Sequence, residues 1–236
     1  MDGKLIEFKS FDKIGRLFRD MVVTEKIDGT NAAIGIIRGP VSRDGYPEPD
    51  AAIEVLMDGW DSYTVYAQSR NRIITPSKDN YGFARWVHEH AIDLVTDLGP
   101  GLHFGEWWGS GIQRGYGLTK GEKRFSLFNV KRWNFQLEVP FKTAGLGTVP
   151  VLYVGEFNTE VIQGILEDLD VHGSQVVPEY DRPEGVVVYH AGGNVLFKAT
   201  ILNDAKPKGQ VEAEARAAQE ITGSGGIVLP KMDGLG

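Results

Sequence analysis

Short apolar runs typical of β-strands recur along most of the chain, and they constrain its fold more than any other feature. Turns rich in glycine, proline or aspartate separate these runs, and most of the runs are too short to be helices. Helical periodicity is limited to a few stretches. This mixture predicts an α+β domain with antiparallel sheets flanked by helices. Strands are predicted at 21–38 (interrupted by "DGT"), 52–57, 64–68, 102–107, 124–130, 149–155, 185–189 and 194–199.

The predicted helices differ in the strength of their patterns. Between residues 83 and 98 apolar residues recur at steps of three and four, and Gly-Pro-Gly at 99–101 ends the pattern. A second helix is predicted over 159–169, with Asn158 as its N-cap. A short amphipathic helix is predicted near the N-terminus from the spacing of Phe11, Ile14 and Phe18.

The composition excludes several kinds of chemistry. The 236 residues include no cysteine, which excludes disulfides, thiolate zinc sites and a cysteine nucleophile.

The charged N-terminus is unlike a signal peptide and no apolar run reaches membrane-spanning length, so we expect a cytoplasmic protein without membrane contact. The net charge of −7 gives no general attraction to nucleic acid, although a local basic patch can still bind phosphates.

The amino-acid composition of the chain changes after Ile201. Residues 209–221 are helix-prone, and the glycine-rich residues 222–236 are typical of a loose tail. We therefore expect one folded domain over residues 1–203 and a short helical or flexible tail over residues 204–236.

A few charged side chains lie within or next to apolar, strand-like runs, where folding alone does not require a charge. Lys26 and Asp28 lie two residues apart in "EKIDGTN", between two apolar runs, as at the turn of a strand hairpin. Glu106 lies among glycines and tryptophans in "HFGEWWG", Glu184 precedes the strand "GVVVYH", and Lys198 interrupts the strand "VLFKAT". Each alone also fits an ordinary surface charge or strand-end acid, so their order along the chain carries the information.

Together with the Ser-Arg pair of "AQSRN", these motifs follow the order of the covalent nucleotidyltransferases, the superfamily of nucleic-acid ligases and capping enzymes. "EKIDGTN" and "HFGEWWG" most resemble the ATP-dependent RNA ligase family of the RNA ligase 2 type, and the resemblance covers about residues 21–200. It implies that residues 1–203 form a nucleotidyltransferase (ATP-grasp-like ligase adenylation) domain. It also implies ATP and Mg²⁺ (or Mn²⁺) as cofactors and RNA with 5′-phosphate and 3′-hydroxyl ends as partner, with DNA as the alternative substrate.

The resemblance further implies a reaction and the residues that carry it out. Lys26 matches the family's nucleophile, which attacks the α-phosphate of ATP to form lysyl-AMP. The AMP then passes to a 5′-phosphate end, and a 3′-hydroxyl displaces it. Positive charge beside an amine favours its reactive, neutral form. The other matching positions bind nucleotide, metal or strand end: Arg70 (ribose and strand end), Glu106 (ribose hydroxyls), Phe128 or alternatively Phe125 (adenine stacking), Glu184 (metal), Lys198 (α-phosphate), Glu25 (near the adenine), Ile27 (nucleotide) and Asn31 (phosphate or strand end).

One position departs from the family pattern. Relatives commonly have Lys-x-Lys in the last strand, whereas this chain has Lys198-Ala199-Thr200, and threonine supplies no charge. Either Lys206 or Lys208 replaces the second lysine, or the α-phosphate is less strongly stabilised in this protein.

A basic run between Arg114 and Arg132 has aromatic residues between its charges. A solvated face and a track for a phosphate backbone explain this run equally well.

Other functions fit less of the sequence. A DNA ligase or a capping enzyme is expected to carry an oligonucleotide-binding barrel after the last strand, and the residues that follow Thr200 are too few for one. A non-catalytic nucleotide- or RNA-binding module derived from a ligase would not require an attacking amine, so the retained lysine favours catalysis. The sequence predicts no oligomeric state.

Overall fold

The computed structural model describes residues 8–11, 13–41, 50–57, 61–133 and 140–202. Its strands are β1 (Asp20–Lys26), β2 (Thr30–Arg38), β3 (Ala52–Met57), β4 (Asp61–Ser69), β5 (Ile73–Ile74), β6 (Gly101–Gly109), β7 (Lys123–Leu127), β8 (Leu146–Thr148), β9 (Val151–Glu156), β10 (Gly185–His190) and β11 (Val195–Thr200). Its helices are α1 (Phe83–Glu89), α2 (Ala91–Leu98), α3 (Val130–Trp133) and α4 (Thr159–His172), with a 3₁₀ turn at Gly115–Gly117. The predicted α+β class is confirmed. The tail predicted at 204–236 lies outside the described residues.

The strands form two sheets. The smaller sheet has the order β11-β10-β1-β9 and is antiparallel throughout. The larger sheet has the order β3-β4-β2-β6-β7-β8, with β5 beside β4. In it β7 and β8 run parallel, so the prediction of purely antiparallel sheets is wrong for this pair. The chain between them includes α3 and is long enough to return to the same end of the sheet, as a parallel pairing requires.

The chain passes from the smaller sheet to the larger one through residues 27–29. β1 and β2 therefore do not form the hairpin that "EKIDGTN" suggests. Ile27 is buried between the sheets in a cluster with Trp108 and Tyr180. Gly29 lies so close to β6 that an added Cβ would be 2.5 Å from the Trp107 carbonyl oxygen. The turn is a packed junction between two layers.

The helix patterns hold for α4 and need a correction for residues 83–98. In α4 the Asn158 side chain accepts a hydrogen bond of 2.7 Å from the Glu160 backbone N–H, which confirms the predicted N-cap. The 83–98 pattern forms two helices because His90 leaves the helical conformation, with φ −109° and ψ 14°. The imidazole Nδ1 of His90 lies 2.9 Å from the Trp86 carbonyl oxygen, so the break is also bridged by a side chain.

Two other sequence expectations differ from the structure. The strand predicted at 149–155 begins later, at Val151, because Pro150, which has no N–H to donate, lies between β8 and β9. The described residues before β1 contain no helix. A short helix is stable when it buries an apolar face, and the side chains that were to form this face are exposed: Phe11, Ile14 and Phe18.

Three apolar clusters join the layers. One lies between the outer face of the larger sheet and the helices α1 and α2. Another lies between the outer face of the smaller sheet and α4. The third fills the space between the inner faces of the two sheets and adjoins the 27–29 junction. Among the described helices, none has the length and apolar character needed to cross a membrane.

Gly105 is required by the close packing of β6 against β7. A Cβ at this position would lie 2.5 Å from the Ser126 carbonyl oxygen and 2.6 Å from the Phe125 ring, neither of which can move away freely. We expect Gly105→Ala to lower the free energy of unfolding by about 1–3 kcal/mol. The control is Gly164→Ala in α4, where no atom lies within 4 Å of the added Cβ and where alanine should add roughly 0.5–1 kcal/mol. Urea unfolding of the two variants measures both effects, and equal stabilities would contradict the packing argument.

Candidate active site

The ammonium group of Lys26 pairs with the carboxylate of Glu184. Lys26 ends β1 and is paired in register with Gly185, the first residue of β10, so Glu184 lies immediately beside it. Lys26 Nζ is 2.5 Å from Glu184 Oε2, and the two side chains are 23% and 17% exposed. The pair joins residues far apart in sequence, and it is half-buried but open to a ligand. These are two of the residues that the sequence analysis selected.

Glu106 lies on the inner face of the larger sheet, close to this pair. Asn31 on β2 is its direct neighbour in register, and the Gly29 backbone N–H donates to Glu106 Oε1 over 3.1 Å. Burial raises the pKa of the Glu106 carboxyl to about 7, an effect that Lys26 opposes and that Glu184 reinforces. Near neutral pH this carboxyl can therefore both donate and accept a hydrogen bond.

Asp28 is held by two residues that the sequence analysis did not select for this site. Its carboxylate forms an ion pair with Arg114, at 3.0 Å from Nε. Its backbone N–H donates to the hydroxyl oxygen of Tyr116 over 3.0 Å, and that hydroxyl donates to the Lys26 carbonyl oxygen over 3.3 Å. Tyr116 is fully buried, and burial raises the pKa of its phenol, so it stays a hydrogen-bond donor. The two residues fix the backbone on both sides of Ile27.

Arg114 and Tyr116 were missed because their contacts span large sequence separations. Arg114 was counted only as part of the basic run, and Tyr116 only as one of its aromatic residues. The nearby backbone has unusual geometry, since the non-glycine residues Gln113 and Tyr116 have φ values of 43° and 48°. Left-handed conformations at such residues are not readable from sequence.

Glu25 points away from Lys26. Adjacent residues of a strand face opposite sides, and Glu25 is buried on the outer face of β1, towards α4 and the segment after it. Its carboxylate accepts hydrogen bonds from the Ser174 hydroxyl and from the backbone N–H groups of Gln175 and Val176, at 2.5, 2.8 and 3.1 Å. Burial raises its pKa, and these donors act in the opposite direction. An adenine contact by Glu25 stays a prediction, and the carboxylate in this structure binds residues 174–176.

The two candidate aromatic residues are in different environments. Phe125 is fully buried, with its ring centroid 5.0 Å from that of Phe83 on α1. Phe128 is 39% exposed, and its backbone N–H donates to the carbonyl oxygen of Phe104, another exposed ring. The alternation along β6 puts Phe104 on the same face as Glu106. Of the two candidates, Phe128 is therefore the ring that a ligand can reach.

Arg70 and Ile27 differ in their exposure. Ser69 pairs with Ala32, so Arg70 lies at the same end of the larger sheet as Asn31. It is exposed, and it makes no hydrogen bond or ion pair with any residue that the structure describes. Ile27 is 3% exposed, so only its backbone is available to a nucleotide.

Thr200, rather than Lys198, shares a row with the nucleophile candidate. Gly185 pairs with both Lys26 and Thr200, so the three positions lie side by side across the smaller sheet. Lys198 pairs with Val187, which is two residues along β10. Its side chain is exposed on the same face of the sheet as Lys26. Lys206 and Lys208 lie outside the described residues.

The basic run from Arg114 to Arg132 does not form a continuous track. Three of the aromatic residues in or beside the run are core residues that cannot stack on bases, whereas Phe128 is exposed. Several of its cations are occupied, since Arg114 pairs with Asp28, Arg124 pairs with Glu122, and Arg132 donates to the Leu98 carbonyl oxygen. The buried aromatic residues of the run are Tyr116, Phe125 and Trp133.

The carboxylates near Lys26 fit a lightly coordinated cation. No group of three or more His, Asp or Glu side chains suited to a metal ion occurs in the described part of the chain. Mg²⁺ commonly takes only one or two protein carboxylates and completes its octahedron with water and substrate phosphates. Glu184, with Glu106 near it, supplies that number of hard oxygen ligands, whereas Asp28 is already bound to Arg114.

A comparison with models of known protein families gives one match for the chain. The RNA ligase family model matches residues 19–200, and the chain therefore belongs to the RNA ligase family. No match was found among curated protein sequences.

Several solved structures resemble the fold. A Naegleria gruberi RNA ligase mutant with ATP and Mn has a TM-score of 0.51 and 18% identity, covering 82% of this chain and 51% of that chain. A second mutant of that ligase with ATP and Mn has a TM-score of 0.47 and 20% identity, over 77% of this chain and 49% of that one. An archaeal ATP-dependent RNA ligase has a TM-score of 0.45 and 18% identity, over 82% and 48%. This chain spans about half the length of these structures, and the first of them supports the fold.

The raised pKa of Glu106 predicts a pH-dependent stability. The folded protein binds this proton more tightly than the unfolded chain does, so the stability is greatest below pH 4.5, falls as the pH rises from there to about 7, and changes no further above that. Glu106→Gln keeps an acceptor for the Gly29 N–H but cannot ionise. At pH 8 its free energy of unfolding, measured by urea denaturation, should exceed that of the wild type by on the order of 2–3 kcal/mol. This gain should shrink towards pH 5.

The control for this measurement is Glu54→Gln on β3, because Glu54 is exposed. A gain for Glu106→Gln that does not vary between pH 5 and pH 8 would contradict the assignment of a buried, titrating carboxyl.

Proposed function

We propose that this protein is an ATP-dependent RNA ligase that acts through a covalent lysyl-AMP intermediate and joins 5′-phosphate to 3′-hydroxyl ends. The observation that carries the proposal is the Lys26 amine 2.5 Å from the Glu184 carboxylate, with Glu106 close to both. These groups belong to three separate motifs and meet at the junction of the two sheets. A solvated hairpin would not bring them together. Family membership adds weight to this reading, and the solved Naegleria gruberi relatives are RNA ligases with ATP and Mn.

The first step needs a neutral amine in line with the α-phosphate. Lys26 Nζ forms a bond to the α-phosphorus as the bond to the pyrophosphate oxygen breaks, and the nitrogen then releases a proton to water. Before the step, Glu184 positions the ammonium group of Lys26 through their ion pair, which is lost when the amine becomes neutral. Divalent Mg²⁺ or Mn²⁺, when bound by Glu184 with Glu106 nearby, would neutralise phosphate charge. Tyr116 and Arg114 keep the Lys26 and Asp28 backbone rigid during the step.

Several other residues would bind the nucleotide and the strand end. The exposed ring of Phe128 would stack on adenine, and the Glu106 carboxyl would read ribose hydroxyls. Lys198 would contact the α-phosphate from the neighbouring row of the smaller sheet. Arg70 and Asn31 lie at one end of the larger sheet, where a 5′-phosphate could approach Lys26.

The finer features of the proposal rest on the resemblance of the sequence motifs. We infer that the described residues form most of an adenylyltransferase domain of the ATP-grasp-like ligase type, assigned to residues 1–203. DNA is the alternative substrate, and a binding module without catalysis is the alternative function. The absence of cysteine suits a reducing compartment such as the cytoplasm.

The direct test of the proposed function is covalent labelling. The wild type, incubated with α-labelled ATP and Mg²⁺ and separated by denaturing electrophoresis, should retain the label. Lys26→Arg should lose at least about 100-fold of it, because a guanidinium stays protonated and cannot attack phosphorus. Lys131→Arg is the matched control, since Lys131 is exposed on α3. Label mapped by peptide sequencing to another lysine would reject Lys26, and no label at all would favour the binding module.

Glu184→Gln separates metal binding from nucleotide binding. It removes one hard anionic ligand and leaves the side chain the same size. The Mg²⁺ concentration for half-maximal labelling should rise about 10- to 100-fold. The affinity for ATP, compared between the Lys26→Arg protein and the Lys26→Arg/Glu184→Gln protein, should stay within about 3-fold. Glu156→Gln at the exposed end of β9 serves as the control. Superimposable Mg²⁺ titrations of the variant and the wild type would rule out Glu184 as a metal ligand.

A further inference from the structure

A pocket lies on the face of the larger sheet opposite to Glu106. It has a volume of about 660 Å³ and is open to solvent along one side. One side of α1, the start of β7 and residues 144–145 surround it. Trp107 lines it, whereas its neighbour Glu106 faces the other side of the sheet. The volume suits a ligand of the size of one nucleotide.

The pocket has an aromatic wall. The Trp86 ring centroid is 5.2 Å from the centroids of both His90 and Trp107. Tyr81 stands on the rim with half of its surface exposed. Trp107 is buried and Trp86 is packed against it, so Tyr81 is the ring of this wall on which a base can stack.

Tyr81 is held on the rim by its backbone. Its φ is 54°, a left-handed conformation that bulky residues rarely adopt. Its carbonyl oxygen accepts a hydrogen bond of 3.2 Å from the Trp107 indole N–H. Unfavourable backbone conformations of this kind cluster at ligand sites, where the surrounding structure maintains them. The backbone of Tyr81 is therefore fixed at the rim, and its exposed ring is carried from that point.

The pocket also presents cations without protein partners. Among its lining residues Arg124 is neutralised by Glu122, at 2.6 Å. The side chains of Arg85 and Lys123 form no ion pair or hydrogen bond with residues inside the described ranges, and Glu89 is the remaining acid. Two free cations beside an aromatic wall match the phosphate and the base of one nucleotide.

The pocket is joined to the candidate active site through β2. The Asn80 side chain donates to the Thr30 hydroxyl oxygen over 3.2 Å, and Asn80 directly precedes Tyr81. Thr30 pairs with Trp107, and the next residue pair is Asn31 with Glu106. The pocket thus opens at the end of the sheet where Lys26 lies, on its far side. A strand with its end at Lys26 can continue over this rim.

We propose that this pocket binds one nucleotide of the RNA strand outside the reaction centre, with its base on Tyr81 and its phosphate between Arg85 and Lys123. The inference rests on the proposed function for the identity of the strand. It adds a contact with RNA that is remote from the ATP-binding residues. This contact supplies positive charge locally on a protein whose net charge is −7.

The test compares RNA binding with self-adenylylation, which requires no RNA. Binding of fluorescent 5′-phosphorylated single-stranded RNA is measured against salt concentration for the wild type and for an Arg85→Gln/Lys123→Gln double variant. Because the two side chains are proposed to neutralise one phosphate, their loss should reduce the slope of log affinity against log salt by roughly 0.7. The matched control is Lys13→Gln/Lys131→Gln, which removes the same charge from two exposed positions outside the pocket.

Substitutions of Tyr81 test the stacking. Tyr81→Asn removes the ring, and asparagine tolerates the left-handed backbone, so the fold should be kept. It should weaken RNA binding about 5- to 100-fold, whereas Tyr81→Phe should bind as the wild type does. All these variants should retain wild-type self-adenylylation.

Three results would overturn the proposal. One is a double variant whose salt slope equals that of the matched control. Another is equal RNA affinity for Tyr81→Asn and Tyr81→Phe. The third is displacement of RNA by AMP from the Lys26→Arg protein but not from the Lys26→Arg/Tyr81→Asn protein, because this would make a free mononucleotide the occupant of the pocket. Failure of the wild type to form lysyl-AMP would instead contradict the proposed function, and the RNA titrations would still measure the pocket.

Discussion

The ion pair between Lys26 and Glu184 is the contact on which the rest of the site depends. It exists because Lys26 pairs with Gly185 across the smaller sheet, so a one-residue change of register would move the carboxylate to the other face. The pair lies where the chain leaves the smaller sheet for the larger one. A single junction therefore brings an amine from one layer to carboxylates from both.

The segment before Glu184 is secured at several points along its length. Glu25 binds its start, at residues 174–176, through a buried carboxylate. Tyr180, further along, stacks on Tyr116 with centroids 4.5 Å apart. Arg114 donates to the carbonyl oxygens of residues 182 and 183 while it pairs with Asp28. Burying a charge is costly unless it is fully hydrogen-bonded. The hydrogen bonds that Glu25 accepts offset this cost, and they also fix the segment that carries Glu184.

The sequence predicted the parts of this site that have local signals. The α+β class followed from strand-like runs, and Lys26, Glu106 and Glu184 followed from the order of three motifs. The opposite orientation of Glu25 was readable too, since it is adjacent to Lys26 on one strand. The roles of Arg114 and Tyr116 were not readable, because they arise from contacts between residues about 90 positions apart that only the fold creates. The two-sheet junction was hidden for the same reason, since a turn between apolar runs has the same local pattern as a hairpin.

The position of Thr200 shows where the site lacks the second lysine of the family's Lys-x-Lys pattern. Gly185 separates Thr200 from Lys26 across the smaller sheet, and its lack of a Cβ permits β11 to lie close to β10 at this row. A second lysine at residue 200 would face the same phosphate as the nucleophile, whereas the hydroxyl of threonine can donate a hydrogen bond without adding charge. Under the proposed function, Lys198 then supplies the positive charge from the adjacent row. Since the attraction between charges weakens with distance, the α-phosphate would be stabilised less by the smaller sheet and more by the ions bound to the nucleotide.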